Sequence, residues 1–428
     1  MFVMKSDKFK FSSLSMHIFL DRIDTNMAFE SMLLGVLTRG TDKHRTLSDL
    51  NSYLDTLYSM TLGTRRHSFA GNRFLSASIE YLDKKYTYDG TELESPGVEI
   101  IKELLFDPLL DQDGLFLDAY VESEKQNLIN AFNSRKNNTK AYAASRCVEI
   151  MSEDEPGFQS FDDALECISN ITAKSLTDYY YKVISACSFV CFYVGNTPER
   201  AISAVEDMMH SLKQKGRLGT LPHMFTLQAP HIPSDVTSLN IPIEVSQCKL
   251  SVGYKTPVVF GAADVTPHEI YATQLLNEIF GGGASSKLFL NVRETKGLCY
   301  YCGSSYSIYS GIINVNSGID SADRALVEAE IDAQLDSIRR GDISADELEN
   351  AKRALKFSYT QITDSTEALE YFYLWRTLFF TAASHTEVID GIMSVTAEDV
   401  ACAAKKIVKC ACVCIDTPAE EGRAPDNE

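Results

Sequence analysis

The sequence predicts an α+β fold built twice along one chain of 428 residues. Three observations carry this. Both halves run in one order, strand, helix, glycine turn, helix, strand, strand, then helices, as a duplicated unit does. The helix bearing Leu33 and Leu34 precedes Gly40 as the helix bearing Leu275 and Leu276 precedes Gly282, and the same offset sets Tyr58 against Tyr300. Between the halves, residues 213–235 hold proline and glycine without an apolar period, the composition of a linker. The division is a first domain over 1–212, the linker over 213–235, a second domain over 236–416 and a charged, frayed tail over 417–428.

Element by element, residues 9–20 alternate and predict a strand. Met27, Phe29, Met32, Leu33, Val36 and Leu37 form a helical stripe that Gly40 ends. Thr46 or Ser48 caps a second helix with Leu50, Tyr53, Leu54 and Leu57 facing inward. A strand over 74–81 follows, then helices near 98–106, 113–136, 138–152 and 174–183, an apolar run at 185–194 and a helix over 198–212. After the linker come a strand over 242–254, a helix over 267–280, and strands near 300–308 and 311–318. Helices over 321–339, 344–361, 364–381 and 396–407 lead to a closing strand at 409–415.

Hydrophobic content of 45% with 23% charged residues reads as soluble and globular. The 59 acidic and 40 basic residues give a formal net charge of −19, which argues against nucleic acid as a partner and suits a cationic one. The N-terminal MFVMKSDKFKF lacks the apolar core of a secretory signal, and no run of about 18 apolar residues predicts a membrane span. Eleven cysteines in that setting read as reduced thiols of a cytoplasmic protein. Cys410, Cys412 and Cys414 alternate on one face of a strand, a pattern open to a metal reading but read first as small buried side chains. Cys299 and Cys302 form a C-x-x-C without a second pair at zinc spacing.

The stretch FGGGASSKLFLNVRETKGLCYY, Phe280 to Tyr301, concentrates the candidate chemistry. Gly281, Gly282 and Gly283 give a loop, Ser285 or Ser286 caps a short helix with Leu288, Leu290 and Val292 supplying apolar contacts, and Gly297 suits a left-handed helix end. Arg293 falls in the last turn and Tyr300 opens an extended segment. A loop backbone, a guanidinium and a phenol can then converge to hold a peptide and polarise its carbonyl. The nucleotide-loop patterns are absent here, and no Ser-His-Asp or Cys-His signature supports an unrelated catalytic site.

These residues resemble the M16 peptidase family, the insulinase and mitochondrial processing peptidase group, over nearly the whole chain. In the second half the resemblance rests on the Phe280–Tyr301 stretch, on QCKLSVGYKT and on SADELENAKRALKFSYTQITDS. In the first it rests on LLGVLTRGT, LNSYLDTLYSMTLGT and EKQNLINAFNSRKNNTKAYAASRCVEIM. The resemblance implies two M16-type (LuxS/MPP-like metallohydrolase) domains, each an antiparallel sheet packed with helices, forming a half-shell. Active members carry H-x-x-E-H ahead of a Gly-Thr, two imidazoles for zinc and a glutamate base. Counted back from Gly40 and Thr41, those places hold Ser31, Leu34 and Gly35, and the family's third ligand falls on Ala131.

The family's Arg–Tyr pair corresponds to Arg293 and Tyr300. The resemblance therefore implies a non-zinc-binding subunit of a heterodimeric metallopeptidase, with no cofactor in this chain and zinc in a paralogous partner. Gly281 to Gly283 would bind substrate, and Arg293 and Tyr300 would act on its carbonyl in trans. The alternative is a catalytically inactive peptide-binding or scaffold homodimer.

Overall fold

The computed structural model describes residues 1–20, 26–69, 72–155, 158–186, 188–214, 229–379 and 383–418. Most of the predicted linker, 215–228, and of the tail, 419–428, lie outside the described residues. The chain opens with β1 (Phe2–Lys5), β2 (Phe11–Phe19), α1 (Met27–Leu37), α2 (Leu47–Thr56), β3 (Thr61–Phe69) and β4 (Asn72–Leu82). Helices α3 (Glu94–Phe106), α4 (Asp118–Ser134), α5 (Thr139–Ser152), α6 (Phe161–Asn170) and α7 (Ala173–Ala186) lead to β5 (Ser188–Gly195) and α8 (Pro198–Gln214). The second run is β6 (Thr237–Pro242), β7 (Cys248–Lys255), α9 (Pro267–Asn277), β8 (Tyr301–Tyr306) and β9 (Ile312–Ile319). It continues through α10 (Arg324–Arg339), α11 (Ala345–Gln361), α12 (Thr366–Leu378), α13 (His385–Ser394) and α14 (Ala397–Ala404) to β10 (Val408–Asp416).

The two sheets repeat one topology, β1-β5-β2-β4-β3 and β6-β10-β7-β9-β8. Both are antiparallel except at one edge, where β1 pairs with β5, and β6 with β10, in parallel. The expected all-antiparallel sheet is corrected there. β1 and β6 are short and show little burial, so no apolar alternation marked them in the sequence. Two helices were also unforeseen: α6 and α13 are short and acidic, and start on the capping serines Ser160 and Ser384.

Packing divides the chain differently from its order. One compact unit is Met1–Asn133, Gln159–Phe225 and Gln361–Ala382; the other is Ser134–Phe158, Thr226–Thr360 and Ala383–Glu428. A boundary at 212 and 236 follows the chain, whereas segments 134–158 and 361–382 pack with the opposite half's sheet. In the first unit, α12 lies on β2 and β5 and, with Phe379 that caps it, buries Leu369, Phe372, Leu374 and Trp375. Its Glu370 accepts from Ser15 Oγ at 2.6 Å and lies 3.0 Å from His17 Nε2. In the second, α5 lies on β7, β9 and β10 with Ala143, Cys147 and Met151 in the core. The buried Lys255 fastens it there, its Nζ donating to the Met151 carbonyl at 2.8 Å and to Glu155 Oε1 at 2.5 Å. An amphipathic helix states that it needs a sheet, not which one.

Candidate functional site

On the second unit, α9 runs through a wide π-helical turn, Glu278–Gly282, and a second π-helix covers Leu288–Thr295. Such segments are uncommon and recur at functional sites. Leu288 and Val292 are fully buried, but Leu290 is exposed, so the apolar contact expected of Leu290 is corrected. Residues four apart share a helix face, and position 290, two residues from each, faces out. Gly297 has φ +63, and its N–H closes the helix on the Arg293 carbonyl at 3.1 Å, the left-handed end a glycine accommodates.

The glycine triplet is partly a packing device. A Cβ on Gly281 would lie 2.6 Å from the backbone nitrogen of Ser304, so the helix can approach β8 only with glycine there. A Cβ on Gly282 would lie 2.3 Å from Glu278 Oε2, a carboxyl that burial pushes up. Gly283 leaves the turn in an extended conformation, with Glu278 Oε1 3.3 Å from where its Cβ would be.

Arg293 is in the last turn, half-exposed, with its guanidinium carbon 4.7 Å from the Phe289 ring centre and its Nε 3.5 Å from Glu294. Tyr300 precedes β8, its N–H bound to the Gly318 carbonyl at 2.8 Å. It is 54% exposed, and its hydroxyl has one long contact, 3.4 Å to Asp320 Oδ1, so the phenol can be recruited by another acceptor.

Beside them lies a thiol whose chemistry the sequence did not foretell. Cys302 donates to Cys299, Ser317 adds a second hydrogen bond, and the Arg293 guanidinium is near; against partial burial these hold Cys299 down at about 7. Cys302 is buried and pushed up. The C-x-x-C spacing was a signal, but Ser317 and Arg293 meet it only in three dimensions. Alkylation by iodoacetamide is expected to select Cys299, with rate rising through a midpoint near pH 7. Arg293→Ala should move that midpoint upward, because a cation stabilising the thiolate is gone. Mass-spectrometric rate profiles would show this, and a midpoint near the ordinary thiol value, about 8.5, would contradict it.

On the first unit, the place of the family's metal motif holds no suitable donors. Ser31 offers a hydroxyl, Leu34 is buried and apolar, Gly35 has no side chain, and Ala131 ends in a methyl. A Cβ on Gly35 would lie 2.8 Å from Glu124 Oε2, and that carboxylate is taken by the Arg39 guanidinium. Glu30 on the same helix is fully buried and turned toward Arg66 at 3.4 Å and Arg73 at 3.5 Å. Burial pushes its carboxyl up against the pull of those two cations. These residues do not fit a zinc ion. The position matching Tyr300 in this half has also diverged: Tyr58 sits at φ 60, and its hydroxyl donates to Asp89 at 2.6 Å. No helix among the described residues is long and apolar enough to cross a membrane.

Comparison with known proteins agrees with this picture. Residues 170–355 match the family model described as the Peptidase M16 inactive domain. A Bacillus subtilis (strain 168) protein named "Probable inactive metalloprotease YmfF" is 26% identical over 410 residues, 95% of this chain and 92% of that protein. A second protein of that strain, "Uncharacterized zinc protease YmxG", is 28% identical over 205 residues, 47% of each chain. Among solved structures, a conserved protein from Enterococcus faecalis V583 superposes with TM-score 0.86 at 25% identity, over 98% of this chain and 96% of that one. The peptidase M16 inactive domain from Pseudomonas fluorescens shares the fold, with TM-score 0.76 at 16% identity over 98% and 96% of the chains. The chain is thus similar over nearly its whole length to M16-type proteins, among them a relative named as an inactive metalloprotease.

Proposed function

We propose that the chain is the subunit that binds no catalytic zinc in a heterodimeric M16-type metallopeptidase, working in the cytoplasm on peptides or proteins. A paralogous subunit supplies zinc and the general base. This chain supplies Arg293 and Tyr300 and, with Gly281, Gly282 and Gly283, grips the substrate backbone. The observation that carries the reading is a contrast: the donors at Ser31, Leu34, Gly35 and Ala131 are lost, while Arg293 and Tyr300 remain exposed with weak partners. A guanidinium donates to backbone carbonyls, and a phenol stabilises negative charge as it develops on the scissile carbonyl oxygen. The formal net charge of −19 favours a cationic polypeptide as substrate.

The test is reconstitution. Pure chain is expected to hydrolyse no peptide library member, and mixing with an H-x-x-E-H paralogue from the same genome should produce chelator-sensitive cleavage. Cleavage by the pure chain that survives chelator would refute the reading. The second reading is an inactive peptide-binding or scaffold homodimer. The relative named as an inactive metalloprotease supports it. Peptide binding without cleavage in every mixture would select it.

A further inference from the structure

The second sheet holds a group of donors that the proposed function does not use. Cys248 on β7 and Cys414 on β10 are both buried, with their Sγ atoms 2.8 Å apart. Among the described residues, one grouping of potential ligands could share an ion: these two sulfurs and an oxygen of Asp416, all within 4.8 Å of one another. The register explains the convergence. Cys414 stands opposite Leu250 and Ile415 opposite Lys249, so Cys248 falls opposite Asp416 and diagonal to Cys414 on one face of the sheet.

A sulfur contact of 2.8 Å is closer than two unbonded thiols rest, so the pair has two chemical resolutions. A disulfide needs Cβ atoms about 3.5–4.5 Å apart. Such a bond would also leave Asp416, whose carboxylate oxygen lies within 4.8 Å of both sulfurs, without a part in it. A bridging cation spans the gap: tetrahedral coordination with metal–sulfur bonds of about 2.3 Å sets the sulfurs about 3.8 Å apart. That requires only that the two thiols open by about 1 Å, a small side-chain rotation.

We propose that Cys248, Cys414 and Asp416 form a binding site for one thiophilic divalent cation of the zinc class, separate from the family's catalytic place. Two sulfurs select such a cation over magnesium or calcium, which take oxygen ligands. Asp416 is already oriented, since Ser321 Oγ donates to its Oδ1 at 2.7 Å. It is also partly exposed, which gives the ion an entry path and leaves a fourth position for water. Binding forms two metal–sulfur bonds and releases the thiol protons to solvent. Two thiolates and a carboxylate carry three negative charges. A divalent cation leaves one, and Arg324, paired with Glu328 at 2.9 Å and with its Nη2 3.8 Å from Cys412 Sγ on the same face, offsets part of it. The bound ion would clip β7 to β10 near the end of the sheet.

The test is titration of the reduced, metal-stripped full chain with Co2+ alone, then with Zn2+. One equivalent of Co2+ should give a thiolate-to-cobalt charge-transfer band, and Zn2+ should remove it. Cys248→Ser and Cys414→Ser should each weaken binding at least about tenfold and reduce the band, because each removes a ligand. Cys412→Ser and Cys299→Ser should leave both unchanged. No band in the wild-type chain, or a band untouched in either ligand variant, overturns the proposal. If the serine variants fail to fold, Asp416→Asn decides. It keeps both sulfurs, so the band should persist while affinity falls about 10–100-fold. Unchanged affinity in that variant overturns the proposal.

Discussion

Tyr300→Phe, assayed in the reconstituted pair, is expected to slow single-turnover peptide cleavage roughly a hundred- to thousandfold while assembly and melting temperature stay put. Loss of one transition-state donor costs about 2.7–4 kcal/mol, which sets that range. The folded chain loses little, because the hydroxyl's one contact is the 3.4 Å approach to Asp320, and the ring is kept. Arg293→Ala should also cut turnover. Its structural loss is an exposed stacking contact with Phe289, about 0.5–1 kcal/mol at most. An unchanged cleavage rate for Tyr300→Phe would remove the catalytic contribution and favour the scaffold reading. A fall in melting temperature with cleavage unchanged would mean that the residue only packs.

The larger effect is expected from a truncation. A fragment of residues 1–212 should show no cooperative thermal transition, although by sequence order it is a complete domain. It lacks α12 with its cap, whose Leu369, Phe372, Leu374, Trp375 and Phe379 are buried in the first unit. Burying a large apolar side chain contributes about 1.5–3 kcal/mol, so the five together contribute about 8–15 kcal/mol. This is an upper bound, and it still matches the about 5–15 kcal/mol that holds a whole domain folded. The fragment also leaves α5 with no sheet to cover. Joining residues 361–382 to its end through a flexible linker should restore a cooperative transition by calorimetry. A fragment 1–212 that melts cooperatively unaided would show that α12 adds little to the first unit's stability.

The sequence was most legible where one residue type has one physical use. Gly297 reads as a left-handed helix end and is one, and Arg293 falls in the last turn before it. The loss of metal donors was legible too, because Leu34, Gly35 and Ala131 have no ligand atom in any conformation. The duplicated topology followed from the order of apolar periods. What escaped depends on contacts distant in sequence. Gly281 and Gly282 read as a flexible loop, but Ser304 and Glu278 explain them as places of close approach. Leu290 read as an apolar contact because of its residue type, although it stands two residues from Leu288 and Val292 and therefore on the other helix face. The altered chemistry of Cys299 comes first from Cys302, its C-x-x-C neighbour, and then from Ser317 and Arg293, which meet it only in the fold.

The placement of segment 361–382 has a consequence for the order of events during synthesis. The first unit's other residues end at Phe225, and its last segment ends at Ala382. At about 5–20 residues per second, a ribosome adds the intervening stretch of roughly 160 residues in about 8–30 s. Until then β2 and β5 show an uncovered apolar face, and the nascent first half cannot settle. The emerging chain therefore presents a target for holdase chaperones for that whole interval. Folding of the first unit is delayed until its last segment has been made, so a stall between residues 213 and 360 would release an aggregation-prone product rather than a finished domain.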